Sequence, residues 1–400
     1  PDGATYWLWG AYAQETWQVS RRWRVSGALR FGGIRYRGLG EQVSTQAPAG
    51  RVGVVFTPAE TWRLFASYSR GFRAPSVTDL GTLGLQGNGF FEASFRDLAN
   101  HGATLGDRAD DQARSTGRPI EPVRPETSDN YEAGVGWRAG RVRGEFTGFR
   151  MNLGNTILSQ TLILPAGAVG QPLGDQVISR QLPSGAVFVP AATAPVLIRS
   201  NFGGAQTWGV EQAAEWQIHR AWTFAENLTW LYARDRRTGL PPDIEGGTPP
   251  LTANLRLRWS PGARRVWLES YAVLAGRQDR LSSLALADRR TGAARSRAAI
   301  ANYFQNGAVA RGLVANGILQ GTGENLAEVQ TRVLGAASSA PMFTAIPGYG
   351  VMGVRGGWRF SERQRLMLDA SNLFDQRHRG ISWGVDGAGR AVTLAYRVEF

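Results

Sequence analysis

Polar and apolar residues alternate along much of the chain. From residue 22 onward, a mostly polar set of positions alternates with an apolar or aromatic set: Arg22, Arg24, Ser26, Ala28 and Arg30 against Trp23, Val25, Gly27, Leu29 and Phe31. The same alternation recurs over 252–259 and 393–400. A period of two places successive side chains on opposite faces of an extended backbone. Each such segment is therefore predicted to be a β-strand with two chemically different faces.

Thirteen segments carry this pattern, which makes the predicted fold class all-β. They are 6–18, 22–36, 50–57, 61–72, 128–138, 141–153, 205–218, 221–234, 251–259, 265–276, 349–360, 364–373 and 390–400. Most are about 9 to 16 residues long, and a strand tilted across a bilayer needs roughly 9–11 residues. Strands of soluble sandwiches are usually shorter. The lengths favour a transmembrane antiparallel β-barrel.

The connections between these segments alternate between short and long. Tight links lie at 20–21, 58–60, 139–140, 219–220, 261–264 and 361–363, and longer ones at 37–49, 73–127, 154–204, 235–250, 277–348 and 374–389. In a transmembrane barrel the periplasmic turns are short and the external loops are longer. We therefore predict long external loops at 73–127, 154–204 and 277–348. Apolar spacings of three and four residues predict helix over 298–304 and 326–334 within the last loop.

Tryptophans are concentrated beside the tight links. Nine of them lie there: Trp17, Trp23, Trp62, Trp137, Trp216, Trp222, Trp259, Trp267 and Trp358. Indole rings favour the membrane interface, where an apolar ring meets lipid and its N–H meets water. The pattern therefore predicts one interfacial ring, although core aromatics at strand ends would give the same spacing. Arginines on the opposite strand face are predicted to line a hydrated interior.

Composition excludes several classes of protein. The chain has 400 residues, no Cys and a formal charge of +13, and each of its 45 basic residues is Arg. Without Cys it has no disulfide, thiolate metal site or Cys nucleophile. The arginines are scattered along the whole chain and form no basic stripe, so nucleic acid is not an expected partner. No stretch approaches 18 uninterrupted apolar residues, which argues against transmembrane helices.

Strand parity predicts that part of the barrel precedes Pro1. Bacterial single-chain barrels have an even number of strands and both termini on the inner side. The chain ends at Phe400 on a strand that runs inward, and counting back thirteen strands places residue 1 outside. At least one further strand is therefore expected before Pro1.

Four motifs resemble those of the TonB-dependent outer-membrane receptors, in the family's order and at its spacing. The first is Phe72-Arg73-Ala74-Pro75, followed by Ser76, Asp79 and Leu80 at the start of a long loop. The second, with Pro125 and Glu126, is the segment 124–134 that closes this loop. The third is 208–211. The fourth is Asn372-Leu373-Phe374-Asp375, followed by Gly389-Arg390 and a terminal Phe400. The resemblance covers nearly all of the chain.

This resemblance implies a 22-stranded barrel in the bacterial outer membrane, of which residues 1–400 hold the last thirteen strands. The N-terminal plug and the first nine strands would then be missing. In this family the plug carries the segment that contacts TonB, so the partner complex would be reached through the missing part. Phe400 and the C-terminal strand would be recognised by the barrel-assembly machinery, and outer-membrane lipid would surround the strands.

His101 is the candidate ligand residue. In haem receptors of this family, a His between the Phe-Arg-Ala-Pro motif and a downstream Asn-Pro-type motif binds iron, and neutral imidazole suits that metal. Here the segment 119–125 stands where the second motif is expected. Arg73 is a candidate partner for a propionate, and Phe90 and Phe91 are candidates for stacking on a flat macrocycle. A solvated His101 and aromatic residues that pack the loop remain alternatives.

Catalytic chemistry has no support in the sequence. The three histidines, His101, His219 and His378, fall in different connections, so no nucleophile and base are brought together. We predict no enzymatic activity and no resident cofactor or metal. The expected function is TonB-coupled uptake of a scarce nutrient, of the ferric siderophore, haem or cobalamin class, bound at the external loops. A passive porin-like channel or an adhesin barrel is the alternative.

Overall fold

The computed structural model describes residues 3–38, 41–81, 83–86, 89–98, 101–242, 248–262, 265–282, 294–337, 339–341, 345–380 and 386–399. Phe400 therefore lies outside the described residues. By their internal contacts, the residues divide into two compact units. The first comprises Pro1–Val135, Gly148–Trp208 and Asp235–Thr238, and the second Gly136–Thr147, Gly209–Arg234 and Gly239–Phe400.

One antiparallel sheet of thirteen strands contains the long strands of the chain. They are β1 (Thr5–Gln18), β2 (Trp23–Gly38), β3 (Glu41–Ala59), β4 (Trp62–Arg73), β5 (Glu126–Ala139), β6 (Val142–Gly154), β7 (Ala205–His219), β8 (Trp222–Asp235), β9 (Thr252–Trp259), β10 (Val266–Ala275), β11 (Tyr349–Arg359), β12 (Gln364–Ser371) and β13 (Ala391–Val398). Neighbours in the sheet follow chain order. The thirteen strands predicted from the period of two are thus confirmed.

The predicted connection 37–49 is wrong. Strand β2 continues to Gly38 and β3 already begins at Glu41, so most of the expected loop is paired strand. The register continues through it, from Phe31 opposite Pro48 to Arg37 opposite Gln42. An antiparallel partner supplies the backbone hydrogen bonds that an external loop would otherwise take from water.

Strands β1–β4 have an apolar face and a polar face, which the register defines. Trp17 pairs with Val25, Trp23 with Phe56 and Phe56 with Leu64, so these side chains share the apolar face. The intervening positions, such as Arg24 and Arg30, form the polar face. Six of the nine tryptophans near the tight links are exposed: Trp17, Trp23, Trp62, Trp216, Trp222 and Trp358. Packing in a protein core therefore does not explain these six.

The first unit also contains a second, smaller sheet. Its six strands lie in the order Gly84–Leu85, Phe91–Ala93, Val196–Gly203, Thr156–Ile163, Thr104–Gly106 and Ser115–Pro119. Two short hairpins, Pro172–Leu173 with Gln176–Val177 and Arg180–Gln181 with Val187–Phe188, accompany it. The helix α1 (Val77–Gly81) and a 3-10 turn at Arg96–Leu98 complete this part.

The second unit contains a helical segment between β10 and β11. It consists of α2 (Arg297–Asn302), a π-helical turn at Tyr303–Gly307, α3 (Ala308–Ala310) and α4 (Leu326–Leu334). Two short strand pairs flank or interrupt it: Ala294–Ser296 with Ser339–Pro341, and Val314–Ala315 with Ile318–Leu319. The helices predicted near 298–304 and over 326–334 are thus present. Within the described ranges, no helix is long and apolar enough to cross a membrane.

Candidate functional site

Two loops of the first unit fold together into one body, which we call the loop domain: residues 74–125 between β4 and β5, and 155–204 between β6 and β7. The two central strands of its sheet, Thr156–Ile163 and Val196–Gly203, come from the second loop, and the flanking strands come from the first. Neither loop can complete this sheet alone. Because their backbone groups are paired, the two loops are ordered together.

The loop domain has a hydrophobic core of its own. Its buried residues are Phe91, Ala93, Leu98, Leu105, Leu162, Leu164, Ala168, Leu173, Ile178, Val187, Val189, Val196, Ile198 and Phe202. Both loops contribute to this list. Burial of apolar side chains contributes about 1.5–3 kcal/mol for each Val, Leu, Ile or Phe. The loop domain is therefore held by packing as well as by backbone hydrogen bonds.

Arg73 joins the start and the end of the first loop. Its Nε and Nη2 donate to the two carboxylate oxygens of Glu126 at 2.7 and 2.8 Å, and its Nη1 donates to Asp79 Oδ2 at 2.7 Å. A paired fork of this kind is among the strong hydrogen bonds of proteins. Glu126 Oε1 also accepts the backbone N–H of Ile157, at 2.8 Å, from the second loop. Two motif residues, Arg73 and Glu126, thus close one loop and attach the other.

A second arginine, Arg199, extends this network into the loop domain. Its Nη1 lies 3.4 Å from Asp79 Oδ1 and its Nε lies 2.8 Å from Glu92 Oε1. The Glu92 side chain is only 4% exposed, and it also accepts a hydrogen bond from Ser159 Oγ at 2.9 Å. A charge buried this deeply needs a partner, because an uncompensated buried carboxylate is strongly destabilising. Arg199 is therefore a required member of the network.

Asp79 lies between the two arginines, near the start of α1. Its Oδ2 accepts the N–H and the hydroxyl of Ser76 at 2.8 and 2.9 Å, while the Asp79 N–H donates to Ser76 Oγ at 3.1 Å. This reciprocal arrangement is a capping box. Burial raises the pKa of the Asp79 carboxyl, but the hydrogen bonds from Ser76 and Arg73 outweigh it, so the net pKa is lowered. Asp79 is therefore held as a carboxylate.

The remaining residues of the first two motifs also make packing or backbone contacts. Pro75 is fully buried, and its carbonyl accepts the hydroxyl of Tyr6 at 3.0 Å. Ala74 packs against the buried Ile34 and Tyr36 of β2. Phe72 and Pro125 are half-buried. These contacts hold the first loop against the polar face of β1 and β2.

His101 lies at the junction of the two loops. Its Nδ1 is 3.1 Å from Gln171 Oε1 of the second loop, and its backbone N–H donates to the carbonyl of Leu98 at 3.2 Å. The ring is half-buried. Across the part of the chain that is described, no group of three or more His, Asp or Glu side chains is arranged to hold a metal ion.

The other predicted ligand residues occupy different environments. Phe91 is buried in the core of the loop domain at 6% exposure, whereas Phe90 is half-buried. Arg73 lies in the charge network with Glu126 and Asp79, and the ring of His101 is hydrogen-bonded to the Gln171 side chain. The structure thus brings Arg73 together with Glu126, but it does not bring Arg73 together with His101.

An arginine pair around Phe202 was not found by the sequence analysis. The guanidinium carbons of Arg118 and Arg237 lie 5.2 and 4.8 Å from the centroid of the Phe202 ring. Arg118 donates to the carbonyl of Asn201 at 3.1 Å, and Arg237 donates to that of Asp107 at 3.3 Å. Neither arginine pairs with a carboxylate in the described structure. Each guanidinium has five N–H donors, so this exposed pair retains donors for an anion.

The fourth motif forms a turn that fixes the loop after β12. Asn372 Nδ2 donates to the carbonyls of Gln376 and Ala388 at 3.0 and 3.1 Å, and its Oδ1 accepts the Gln376 N–H at 2.8 Å. Asp375 Oδ1 accepts the N–H of Arg390 at 2.8 Å. Asn372 and Asp375 have φ values of 47° and 51°, which Asn and Asp tolerate better than most residues. The motif therefore ties both ends of this loop together.

The middle of that motif is less enclosed. Leu373 donates its N–H to the carbonyl of Met352 at 2.9 Å in β11, whereas the ring of Phe374 is 74% exposed. The terminal Phe400 lies outside the described residues, so its predicted role stays a prediction.

Three kinds of comparison relate this chain to known proteins. The family model described as TonB dependent receptor-like, beta-barrel, matches residues 1–373. Among solved structures, the copper transporter OprC has a TM-score of 0.60 at 14% identity, over 99% of this chain and 48% of that chain. The FrpB iron transporter from Neisseria meningitidis (F3-3 variant) has a TM-score of 0.60 at 15% identity, over 99% and 46%. A search of curated proteins finds no match.

A third solved structure gives the same result. The siderophore receptor PirA from Acinetobacter baumannii has a TM-score of 0.59 at 16% identity, over 98% of this chain and 46% of that chain. The chain spans just under half the length of these three proteins. At such identities the structural matches show the fold alone, whereas the family model covers most of the sequence. The chain belongs to the TonB-dependent receptor family and forms part of its β-barrel.

Proposed function

We propose that this chain is the C-terminal barrel portion of an outer-membrane receptor for TonB-coupled uptake of a scarce nutrient, of the ferric siderophore, haem or cobalamin class. The observation that supports this most strongly is the loop domain, which has a sheet and a hydrophobic core of its own and is joined to β4 and β5 through Arg73 and Glu126. A surface that is ordered before binding loses less conformational entropy when a ligand arrives. That property suits a receptor for a scarce nutrient.

The names of the structural neighbours support the same class of cargo. They describe a copper transporter, an iron transporter and a siderophore receptor. By analogy, a plug and further strands would precede the present sequence. TonB would act on the plug, and the barrel-assembly machinery would recognise the last strand, including Phe400. The protein would lie in the bacterial outer membrane, and the transport cycle would need no catalytic group.

Arg118 and Arg237 are the residues that we propose for contact with an anionic part of the cargo. Both are exposed and retain guanidinium donors beside an aromatic ring. For a haem cargo, His101 is the proposed iron ligand and Phe90 and Phe91 the proposed stacking residues. Phe91 would have to leave the core, and Arg73 would have to release an ion pair with Glu126 to bind a propionate. A His101→Ala receptor that keeps its Soret shift on haem titration would rule out the haem arrangement.

Uptake by cells tests the proposal. A strain that lacks the receptor gene is supplied with one labelled ferric siderophore, haem or cobalamin at a time, with the receptor restored in the presence or absence of TonB. We expect one class of cargo to enter only when both the receptor and TonB are present. Equal uptake without TonB, or a steady open current in a planar bilayer, would favour a porin-like channel. Cell attachment without uptake of any source would favour an adhesin.

A further inference from the structure

Two exposed arginines lie near the outer end of the apolar face of the first unit. Arg35 and Arg37 occupy the outer end of β2. The register places Arg35 opposite Trp7 of β1 and opposite Ser44 of β3. Positions two residues apart share a face, so Arg35 and Arg37 point the same way as Trp23 and Phe31. They therefore lie on the surface that faces lipid.

The height of these arginines follows from the strand geometry. Arg35 is twelve residues beyond Trp23 along β2. At about 3.3 Å per residue and a tilt of about 40°, this distance corresponds to roughly 30 Å along the membrane normal. The apolar band of an outer-membrane barrel is about 25 Å tall. Arg35 and Arg37 thus lie just outside this band, at the level of lipid headgroups.

Aromatic side chains mark the outer edge of the band: Trp7 is exposed beside Arg35, and Trp9 and Phe31 lie just below it. Trp9 and Phe31 contact edge to face, with ring centroids 5.6 Å apart, and each side chain is 44% exposed. Aromatic girdles of this kind lie at both interfaces of a transmembrane barrel. The position of Trp9 and Phe31 agrees with the height obtained from the strand geometry.

The charge of Arg35 and Arg37 is not neutralised within the protein. Arg37 donates one hydrogen bond to Gln42 Oε1 at 3.3 Å, and no carboxylate of the described residues pairs with either arginine. Arg70, another arginine on the apolar face, is different, because it lies 3.0 Å from Asp129 Oδ1. Guanidinium groups bind phosphate oxygens in a forked geometry. The unneutralised pair therefore has the chemistry to bind a phosphate at headgroup level.

We propose that Arg35 and Arg37 form a binding site for the phosphate of an anionic lipid in the outer leaflet. The acyl chains of that lipid lie against Trp9 and Phe31, and its headgroup phosphate lies between the two guanidinium groups. The site rests on the proposed outer-membrane location but not on the identity of any cargo. It fixes the vertical position of the β2–β3 hairpin through charge as well as through apolar contact.

Lipid titration of the full-length receptor tests this site. The receptor is purified in detergent and titrated with lipid A that carries both phosphates, with lipid A from which both have been removed, and with inorganic phosphate. Bound molecules are counted by native mass spectrometry. The test variant carries Arg35→Gln and Arg37→Gln, and Arg24→Gln is the matched control because Arg24 lies on β2 but on its polar face.

We expect the double variant to bind phosphorylated lipid A about 30-fold more weakly than the parent, since each arginine near a charged lipid surface contributes about fivefold. Arg24→Gln should bind like the parent, and dephosphorylated lipid A should bind weakly to all forms. Equal affinity of the parent and the double variant would overturn the proposal. So would equal affinity for the dephosphorylated lipid, or inorganic phosphate binding as tightly as the lipid.

Folding is followed in the same samples by the heat-dependent migration of the barrel on a gel. If the double variant loses this property, Arg35→Gln alone replaces it, with about a fivefold loss expected. The Arg35 side chain makes no hydrogen bond or ion pair with the residues that the structure describes, so this variant should fold. Uptake by the parent is measured separately. A parent that fails in uptake contradicts the proposed function, whereas unchanged lipid binding in the arginine variants contradicts only this site.

Discussion

The loop domain and the helical segment between β10 and β11 are both long connections of the same sheet, but they are built differently. The loop domain combines two loops around a core of fourteen buried residues and is tied to β4 and β5 by the Arg73 and Arg199 network. The helical segment comes from one loop, and among its described residues the core cluster has four buried side chains: Phe304, Ala308, Val314 and Val329. Its described ion pair joins Arg332 and Glu324, two residues of the segment itself, and the Arg332 side chain is exposed. The larger core and the ion pairs of the loop domain thus come from the pairing of two loops with each other and with strand ends, and length alone does not provide them.

The largest expected contrast comes from the two cores. Leu162→Ala removes a fully buried side chain from the centre of the loop domain and should destabilise it by about 4 kcal/mol, because the cavity cannot collapse inside a paired sheet. Leu326→Ala in the helical segment, where the side chain is only partly buried, should cost clearly less. Limited proteolysis of the folded receptor measures both. Equal protease sensitivity of the two variants would remove the distinction between the regions.

The next contrast concerns the ion pairs. Arg199→Leu leaves the buried Glu92 and Asp79 without one of their partners and should destabilise the loop domain by about 3 kcal/mol. Arg332→Leu breaks an exposed pair in the helical segment and should have little effect. Hydrogen exchange of loop peptides reports the change in each variant. An Arg199→Leu receptor with loops as well protected as in the parent would mean that the network does not hold them.

Acid should loosen the loop domain through Asp79. The folded state lowers the pKa of this carboxyl below its ordinary value near 3.8. The stability that it contributes is therefore present above that value and is lost as the pH falls through the lower folded pKa. Asp79→Asn should destabilise the loops at neutral pH. It should also make the stability of the loop domain depend less on pH below about 3.8. The sensitivity of the loops to protease between pH 5 and pH 2 measures it, and parallel curves for the parent and the variant would contradict the assignment.

The smallest effect is expected at the cap of α4. Asn325 accepts the N–H of Glu328 at 3.0 Å, and the Glu328 side chain accepts the N–H of Asn325 at 2.8 Å. Asn325→Ala should destabilise this helix by about 1 kcal/mol. The loss should remain within the helical segment, as seen by hydrogen exchange over 326–334. Faster exchange in the loop domain of the same variant would mean that the two regions are coupled.

The sheet could be predicted from the sequence because its signal is local. Alternation over ten or more residues, as in 22–31, reports a strand with two environments, and each partner is the next strand along the chain. The one misplaced connection, 37–49, contains Pro48 and two glycines, residues typical of loops. There the pairing of β2 with β3 overrides the local preference.

The loop domain could not be predicted because its signal is not local. Thr156–Ile163 is short and buried on both faces toward its end, so it shows no alternation, and its flanking strands come from other parts of the two loops. The pairing of Arg118 with Arg237 could not be predicted for the same reason. The two residues are distant in sequence and come together at the Phe202 ring. The family motifs located Arg73, Asp79 and Glu126 at the loop ends, but they contain neither Arg199 nor Glu92, which lie far from the motifs in sequence.

Hydrogen exchange of the full-length receptor in lipid tests the central claim most directly, namely that the two loops form one prefolded domain tied to the strands. We expect peptides covering 156–163 and 196–203 to exchange about as slowly as those of β2 in the absence of any ligand. We also expect Arg199→Leu to accelerate exchange in both loops together. Exchange of these peptides at the rate of an unfolded chain in the parent protein, or acceleration confined to one loop, would contradict it.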